Sequence, residues 1–206
     1  MGEDKIFFES GQFKIEGLLE KKSLRRGVVV SHPHPLYGGT MHNAVVKAIV
    51  RAYHDSGYST LRFNFRGVER SEGDYDNGIG EQEDVGSAVK VLADNGIEAI
   101  DLAGYSFGAW VNAIALKRFE KIGRMIMVSP PVGLLNFDDL IAESRLRLVI
   151  TGDKDEIAPA KAVEEKVPLW NPEATLRIIE DADHFFGGKN EEIMMIIEEF
   201  LEENRR

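Results

Sequence analysis

The stretch Ala99-Ile100-Asp101-Leu102-Ala103-Gly104-Tyr105-Ser106-Phe107-Gly108-Ala109 passes from a strand-like run into a helical pattern within one turn. Residues 99–103 form a short, mainly apolar run of strand length. From residue 107 to 119 the apolar positions recur at helical spacing. A G-x-S-x-G pentapeptide between strand and helix is the context in which a serine becomes exposed at the tip of a sharp turn. The requirement is steric. Residues two before and two after the serine must be small, or their side chains collide across the turn. Gly104 and Gly108 meet that need. Ser106 is therefore the candidate nucleophile. The Phe107 amide, at the start of the helix, is a candidate oxyanion donor, because unpaired N–H groups there carry partial positive charge.

Outward from this turn, strand and helix patterns alternate. Residues 6–8 and 13–19 read as an antiparallel hairpin around Ser10-Gly11 at a sheet edge. Strands are predicted at 28–30, 60–65, 125–128, 146–150 and 175–179. Helices are predicted at 43–54, 81–93, 107–119, 159–166 and 191–202. Between them, residues 66–80 are a loop rich in Gly, Asp and Ser. Such alternation implies a mostly parallel sheet with helices on both faces, in a single domain over residues 1–206. Ligands of such sheets sit outside the carboxyl ends of the strands. Only residues 129–145 separate two late strands, which leaves room for a loop and one short helix near 137–142. The site should therefore be open, with a minimal cap or none.

A serine hydroxyl needs a base. Of the five histidines, His32, His34, His42, His54 and His184, only His184 lies downstream of Ser106, as the order Ser, acid, His requires. It follows the last predicted strand. The acid should follow a strand between the two, and Gly152-Asp153-Lys154-Asp155-Glu156 does so. Asp155 is preferred because it lies further into the turn. Asp153 competes with it, and a turn or capping role is the alternative for Asp153. Asp183 is disfavoured, since adjacent side chains diverge.

The strand at 28–30 runs into Ser31-His32-Pro33-His34-Pro35-Leu36-Tyr37-Gly38-Gly39. Proline has no amide hydrogen, so His34 is the only donor between the two prolines. Its amide is the candidate second oxyanion donor, with Leu36 as fallback. His32, His34 and His42 also invite a metal reading. No carboxylate cluster accompanies them at metal-ligand spacing, so local hydrogen bonding and pocket lining are favoured and no metal or other cofactor is expected. Tyr37, Arg66, Tyr105 and Phe185 are candidate substrate-binding residues. Core packing for the aromatics and ion pairing for Arg66 are the alternatives.

Composition bounds the partners. The 206 residues carry a formal net charge of −10, which repels nucleic acid and anionic lipid. With no cysteine, thiol catalysis and disulfides are excluded. No run approaches the roughly 20 apolar residues of a membrane span, and the charged start Met1-Gly2-Glu3-Asp4-Lys5 is unlike a signal peptide. A cytoplasmic location is expected. The oligomeric state is left open, and a homo-oligomer is compatible with the sequence.

Together these residues resemble the α/β-hydrolase superfamily. They are most similar to a small, lid-poor, mostly uncharacterised group at residues 32–41 (HPHPLYGGTM), 62–68 (RFNFRGV), 104–108 (GYSFG) and 183–186 (DHFF). The resemblance implies an acid three residues after Gly152, at Asp155, and an oxyanion amide at His34. It also implies an α/β-hydrolase fold and a serine hydrolase, carboxylesterase-like, acting on a small-molecule acyl substrate through a catalytic triad. Thioesterase or amidase chemistry on the same site, or a non-catalytic binding protein, are the alternative functions. Glu69 stands where a third glycine is common in the wider superfamily.

Overall fold

The computed structural model describes residues 2–119 and 122–204. Eight strands form one sheet: β1 (Asp4–Ser10), β2 (Phe13–Glu20), β3 (Arg26–Ser31), β4 (Ser59–Phe63), β5 (Ala99–Tyr105), β6 (Ile122–Val128), β7 (Leu146–Gly152) and β8 (Thr175–Ile179). Their order is β1-β2-β4-β3-β5-β6-β7-β8. β1 and β2 form the expected antiparallel hairpin, and β2 pairs antiparallel with β4. From β4 to β8 all pairings are parallel.

Five helices cover both faces: α1 (Ala44–Asp55), α2 (Ile79–Asp94), α3 (Phe107–Leu116), α4 (Ala160–Trp170) and α5 (Asn190–Glu203). On one face α1 and α5 bury Val45, Val46, Ile49 and Tyr53 with Ile193 and Ile197. On the other, α2, α3 and α4 bury Val85, Leu92, Val111, Val163 and Val167. This division follows from the central strands, whose side chains are buried on both sides, as in Val28–Val30. Between β6 and β7 there is only a short 3₁₀ turn, Asp138–Leu140, so nothing caps the sheet's carboxyl edge there. Among the described residues no helix is long and apolar enough to cross a membrane.

The chain leaves β3 for β4 on one side and later returns to β5 on the other. Strand order thus reverses at β3, and the loops after β3 and β5 diverge to open a crevice. Ser106 and His34 lie on these two loops.

Three elements differ from their predicted lengths for identifiable reasons. α3 stops before residue 119 because the Arg118 and Phe119 amides turn back to Ala115 and Leu116, three residues away. α4 runs past residue 166 and takes in Pro168, because buried Trp170 anchors the final turn against Phe137 at 5.2 Å. β4 ends at Phe63; the Asn64 amide donates instead to the Glu16 carbonyl.

Arg66 is not a cleft residue, which corrects the expectation above. It is buried, and its Nε and Nη2 donate to the fully buried Asp84 of α2 at 2.9–3.2 Å. The Arg66 amide also donates to Asp84, as does the Ser10 hydroxyl at 2.7 Å. The Phe13 ring lies 5.5 Å from the guanidinium. One carboxylate therefore ties the hairpin, the end of β4 and α2 together. Removing one partner of a buried pair strands the other charge. Asp84→Ala should lower unfolding free energy by about 3–5 kcal/mol, read from the midpoint of urea denaturation.

Candidate active site

Ser106 sits between β5 and α3 with φ 54° and ψ −119°, a conformation rarely open to a residue with a side chain. The turn is tight enough that a Cβ on Gly104 would lie 2.6 Å from the backbone of Gly108 and Ala109. One on Gly108 would lie 2.5 Å from the Ser31 carbonyl. Only glycine fits at either position. The Ser106 amide is fixed by the Val128 carbonyl at 2.9 Å.

From that tip the Ser106 hydroxyl donates to His184 Nε2 at 2.9 Å, and His184 Nδ1 donates to Asp155 at 2.9 and 3.0 Å. Asp155 is itself buried and saturated with donors. Its Oδ1 accepts from the Ile157 and Ala158 amides, and its Oδ2 from the Ser129 hydroxyl. Burial raises the Asp155 carboxyl's affinity for protons. The His184 hydrogen bond, the Ala158 amide and Ser129 outweigh it and hold the group below the ordinary carboxylate range. An ionised Asp155 only accepts, so Nδ1 of His184 carries the proton and Nε2 offers its lone pair to Ser106.

Asp153, two residues earlier, points into solvent, and its amide is held by the Ile179 carbonyl. Asp183 is also exposed, and accepts from the Phe185 amide. The loops after β7 and β8 meet at Gly152, where a Cβ would lie 2.1 Å from the Ala182 carbonyl. That close approach brings the Asp155 and His184 turns together. Tyr105 closes the arrangement from below: its hydroxyl donates to the His184 carbonyl at 2.7 Å. Burial pushes the Tyr105 phenol's pKa up, so it remains a donor.

Among the described residues, the Phe107 and His34 amides donate to no backbone or side-chain acceptor. Both residues line the same cleft as Ser106. The Leu36 amide, the fallback donor, is engaged by His34 Nδ1 at 3.2 Å. With Nδ1 accepting, His34 Nε2 carries the proton and donates to the Tyr75 hydroxyl at 3.2 Å. The His34 ring also packs against Phe107, Tyr37 and Tyr75 at 4.7–5.0 Å. Tyr75, from the 66–80 loop, was invisible as a site residue in the sequence; no local pattern ties it to His34.

His32 is fully buried. Its Nε2 accepts from the Phe65 amide at 3.0 Å and its Nδ1 donates to the Pro33 carbonyl at 2.6 Å. Both ring nitrogens of His32 and of His34 are thus occupied, so neither has a lone pair for a metal. His42 instead faces Glu69 at 3.7 Å.

The cleft has a volume of about 570 Å³. Of the four candidate substrate-binding residues, Tyr37, Tyr105 and Phe185 line it, whereas Arg66 does not. Leu134, Leu135 and Pro131 from the loop after β6, with Ile157, complete the apolar wall. In the sequence these residues marked only a missing cap.

No family model matches the chain. An uncharacterized protein of Rickettsia prowazekii (strain Madrid E) is 36% identical over 95% of this chain and 87% of its own length. The solved structure of an α/β serine hydrolase homologue from Coxiella burnetii is 32% identical, covers 98% of each chain and has a TM-score of 0.88. A serine hydrolase without a lid from Xanthomonas campestris is 30% identical over 98% of this chain and 94% of its own, with a TM-score of 0.89.

His32 makes stability pH-dependent. Burial, countered by the Pro33 bond and aided by nearby His34, lowers its pKa from 6.5 to about 4. Between those values the unfolded chain binds a proton that the folded one refuses, so stability is present above pH 6.5 and lost as pH falls toward 4. The loss should be on the order of 3 kcal/mol. In urea titrations at stepped pH, His32→Gln should flatten this acid slope while lowering stability near neutrality.

Proposed function

Because this chain belongs to the α/β-hydrolase family, we propose that it is a serine hydrolase that cleaves small carboxylic esters through an acyl-enzyme. The observation that carries the proposal is the unbroken chain of hydrogen bonds from Ser106 through His184 to Asp155 at the carboxyl edge of the sheet. Two solved relatives described as serine hydrolases support it.

Ser106 Oγ attacks the ester carbonyl carbon as His184 Nε2 takes the hydroxyl proton. Negative charge moves to the carbonyl oxygen, which the Phe107 and His34 amides receive. These donors are set in advance by a helix start and a proline-flanked turn, so they need not reorganise as charge develops. Asp155 fixes the imidazole orientation and stabilises its positive charge without taking the proton. The intermediate collapses, the ester C–O bond breaks, and His184 returns the proton to the departing alcohol. Water then repeats the sequence on the acyl-enzyme, releasing the acid and restoring Ser106.

Tyr75 acts through His34, as a positioning residue. Its hydroxyl holds the ring whose other nitrogen holds the Leu36 amide, and so steadies the turn that carries the donor.

Ser106→Ala should lower kcat on p-nitrophenyl butyrate by about 10⁶-fold and abolish labelling by a fluorophosphonate probe, with the fold unchanged by circular dichroism. A protein whose wild-type Ser106 ignores both the probe and a panel of esters is not a serine hydrolase. Asp155→Asn should cost about 10⁴-fold in kcat, whereas Asp153→Asn should leave the rate nearly unchanged. The reverse order would move the acid to Asp153. Tyr75→Phe should lower kcat by about 10-fold with KM little changed, since the lost interaction serves the developing oxyanion; a rise in KM alone would place Tyr75 in ground-state binding.

A further inference from the structure

Charge is distributed unevenly around the cleft. None of its lining side chains is Asp, Glu, Lys or Arg. Residues 32–43, after β3, and 129–137, after β6, contain no charged side chain apart from histidine. The acids stand further out. On the loops that supply Ile157 and Phe185, Asp153, Glu156, Glu180, Asp181 and Asp183 are exposed. The lysines on those loops are both ion-paired, Lys154 to Asp181 at 2.6 Å and Lys189 to Glu192 at 2.9 Å.

The mouth is instead apolar. Tyr37, Leu134 and Phe185 are 86, 73 and 72% exposed around one opening. Contiguous exposed apolar side chains at a concave site mark where an apolar ligand is received. A carboxylate or phosphate entering there would lose water and find no cation among the lining side chains.

We infer that the cleft selects uncharged esters with an apolar acyl chain, and rejects acyl groups ending in a carboxylate and acyl thioesters on phosphorylated carriers. This rests on the serine-hydrolase reading above and narrows it. The unequal treatment of anions comes from the uncharged wall and apolar mouth, not from the reacting groups, which are common to all these substrates.

Matched pairs test it with wild-type protein. p-Nitrophenyl pentanoate and mono-p-nitrophenyl glutarate share acyl length and leaving group and differ in a terminal carboxylate. S-Butyryl-pantetheine and S-butyryl-4'-phosphopantetheine share the thioester and its arm and differ only in a phosphate. The neutral member of each pair should be favoured by about 100-fold or more in kcat/KM. Leu134→Lys, at an exposed rim position, should shrink that ratio at least about tenfold, and added salt should weaken the variant's gain. Ratios near unity, or preference for the anion, overturn the inference. So does an unchanged ratio in Leu134→Lys. Fluorophosphonate labelling of Ser106 in the same preparation separates the two levels. Labelled protein that does not discriminate loses only the substrate class. Protein that neither labels nor turns over any of the four loses the serine-hydrolase reading, and the inference with it.

Discussion

Ser106 is held at φ 54° and ψ −119°, and the rest of the site is arranged around that constraint. Such a conformation costs on the order of 1–3 kcal/mol and persists only when the surroundings over-determine it. Here they do. β5 is fully paired between β3 and β6, α3 starts at the next residue, and the Ser106 amide is bonded to β6. The glycines at 104 and 108 let the β5–α3 turn close against the end of β3. A relaxed Ser106 would turn its hydroxyl away from His184 and the Phe107 amide from the cleft.

Behind the reacting groups lies a set of buried polar bonds that hold loops. His32 joins the β3 loop to Phe65, and Asn64 Oδ1 accepts from the Met41 amide. Arg62 reaches the Met41 carbonyl with Nη1 and pairs with Glu3. Arg66 and Asp84 tie the next loop to α2. These contacts touch no cleft wall. They fix the segments that carry His34 and Tyr75, which is what a pre-aimed backbone dipole needs. The residues at 62–66 thus act through loops and not on a ligand.

Much of this was legible in the sequence. The change of period at Ser106, the position of His184 after the last strand, and the two prolines around His34 are local or ordinal signals, and each has a steric or chemical cause. The mostly parallel sheet with helices on both faces followed from the alternation of strand and helix patterns. What could not be read locally depended on register and distant partners. Asp153 and Asp155 share one turn, and which of them faces His184 is set by how β7 pairs with β8 and by the Ile157 and Ala158 amides. Arg66 looked available because its partner, Asp84, stands 18 residues later on a helix. Tyr75 finds His34 across 41 residues. Leu134 and Leu135 signalled only an absent cap until the fold set them beside Ser106.

The absent cap bears on the chemistry. Acyl transfer through fixed dipoles works best where water is excluded, because the dipoles act more strongly there. Among the described residues no lid supplies that exclusion, and the most exposed parts of the cleft wall are apolar side chains of the rim. An apolar acyl group lying across Tyr37, Leu134 and Phe185 covers them and sheds water from the oxyanion site in the same event. On the proposed reading, the substrate then serves as its own lid. A charged acyl group holds its hydration shell and leaves the site wet, so the feature that weakens its binding also weakens its turnover. The proposed selectivity for uncharged substrates and the proposed turnover would therefore have a common origin in the missing cap, and both should depend on how much of the rim the acyl chain covers.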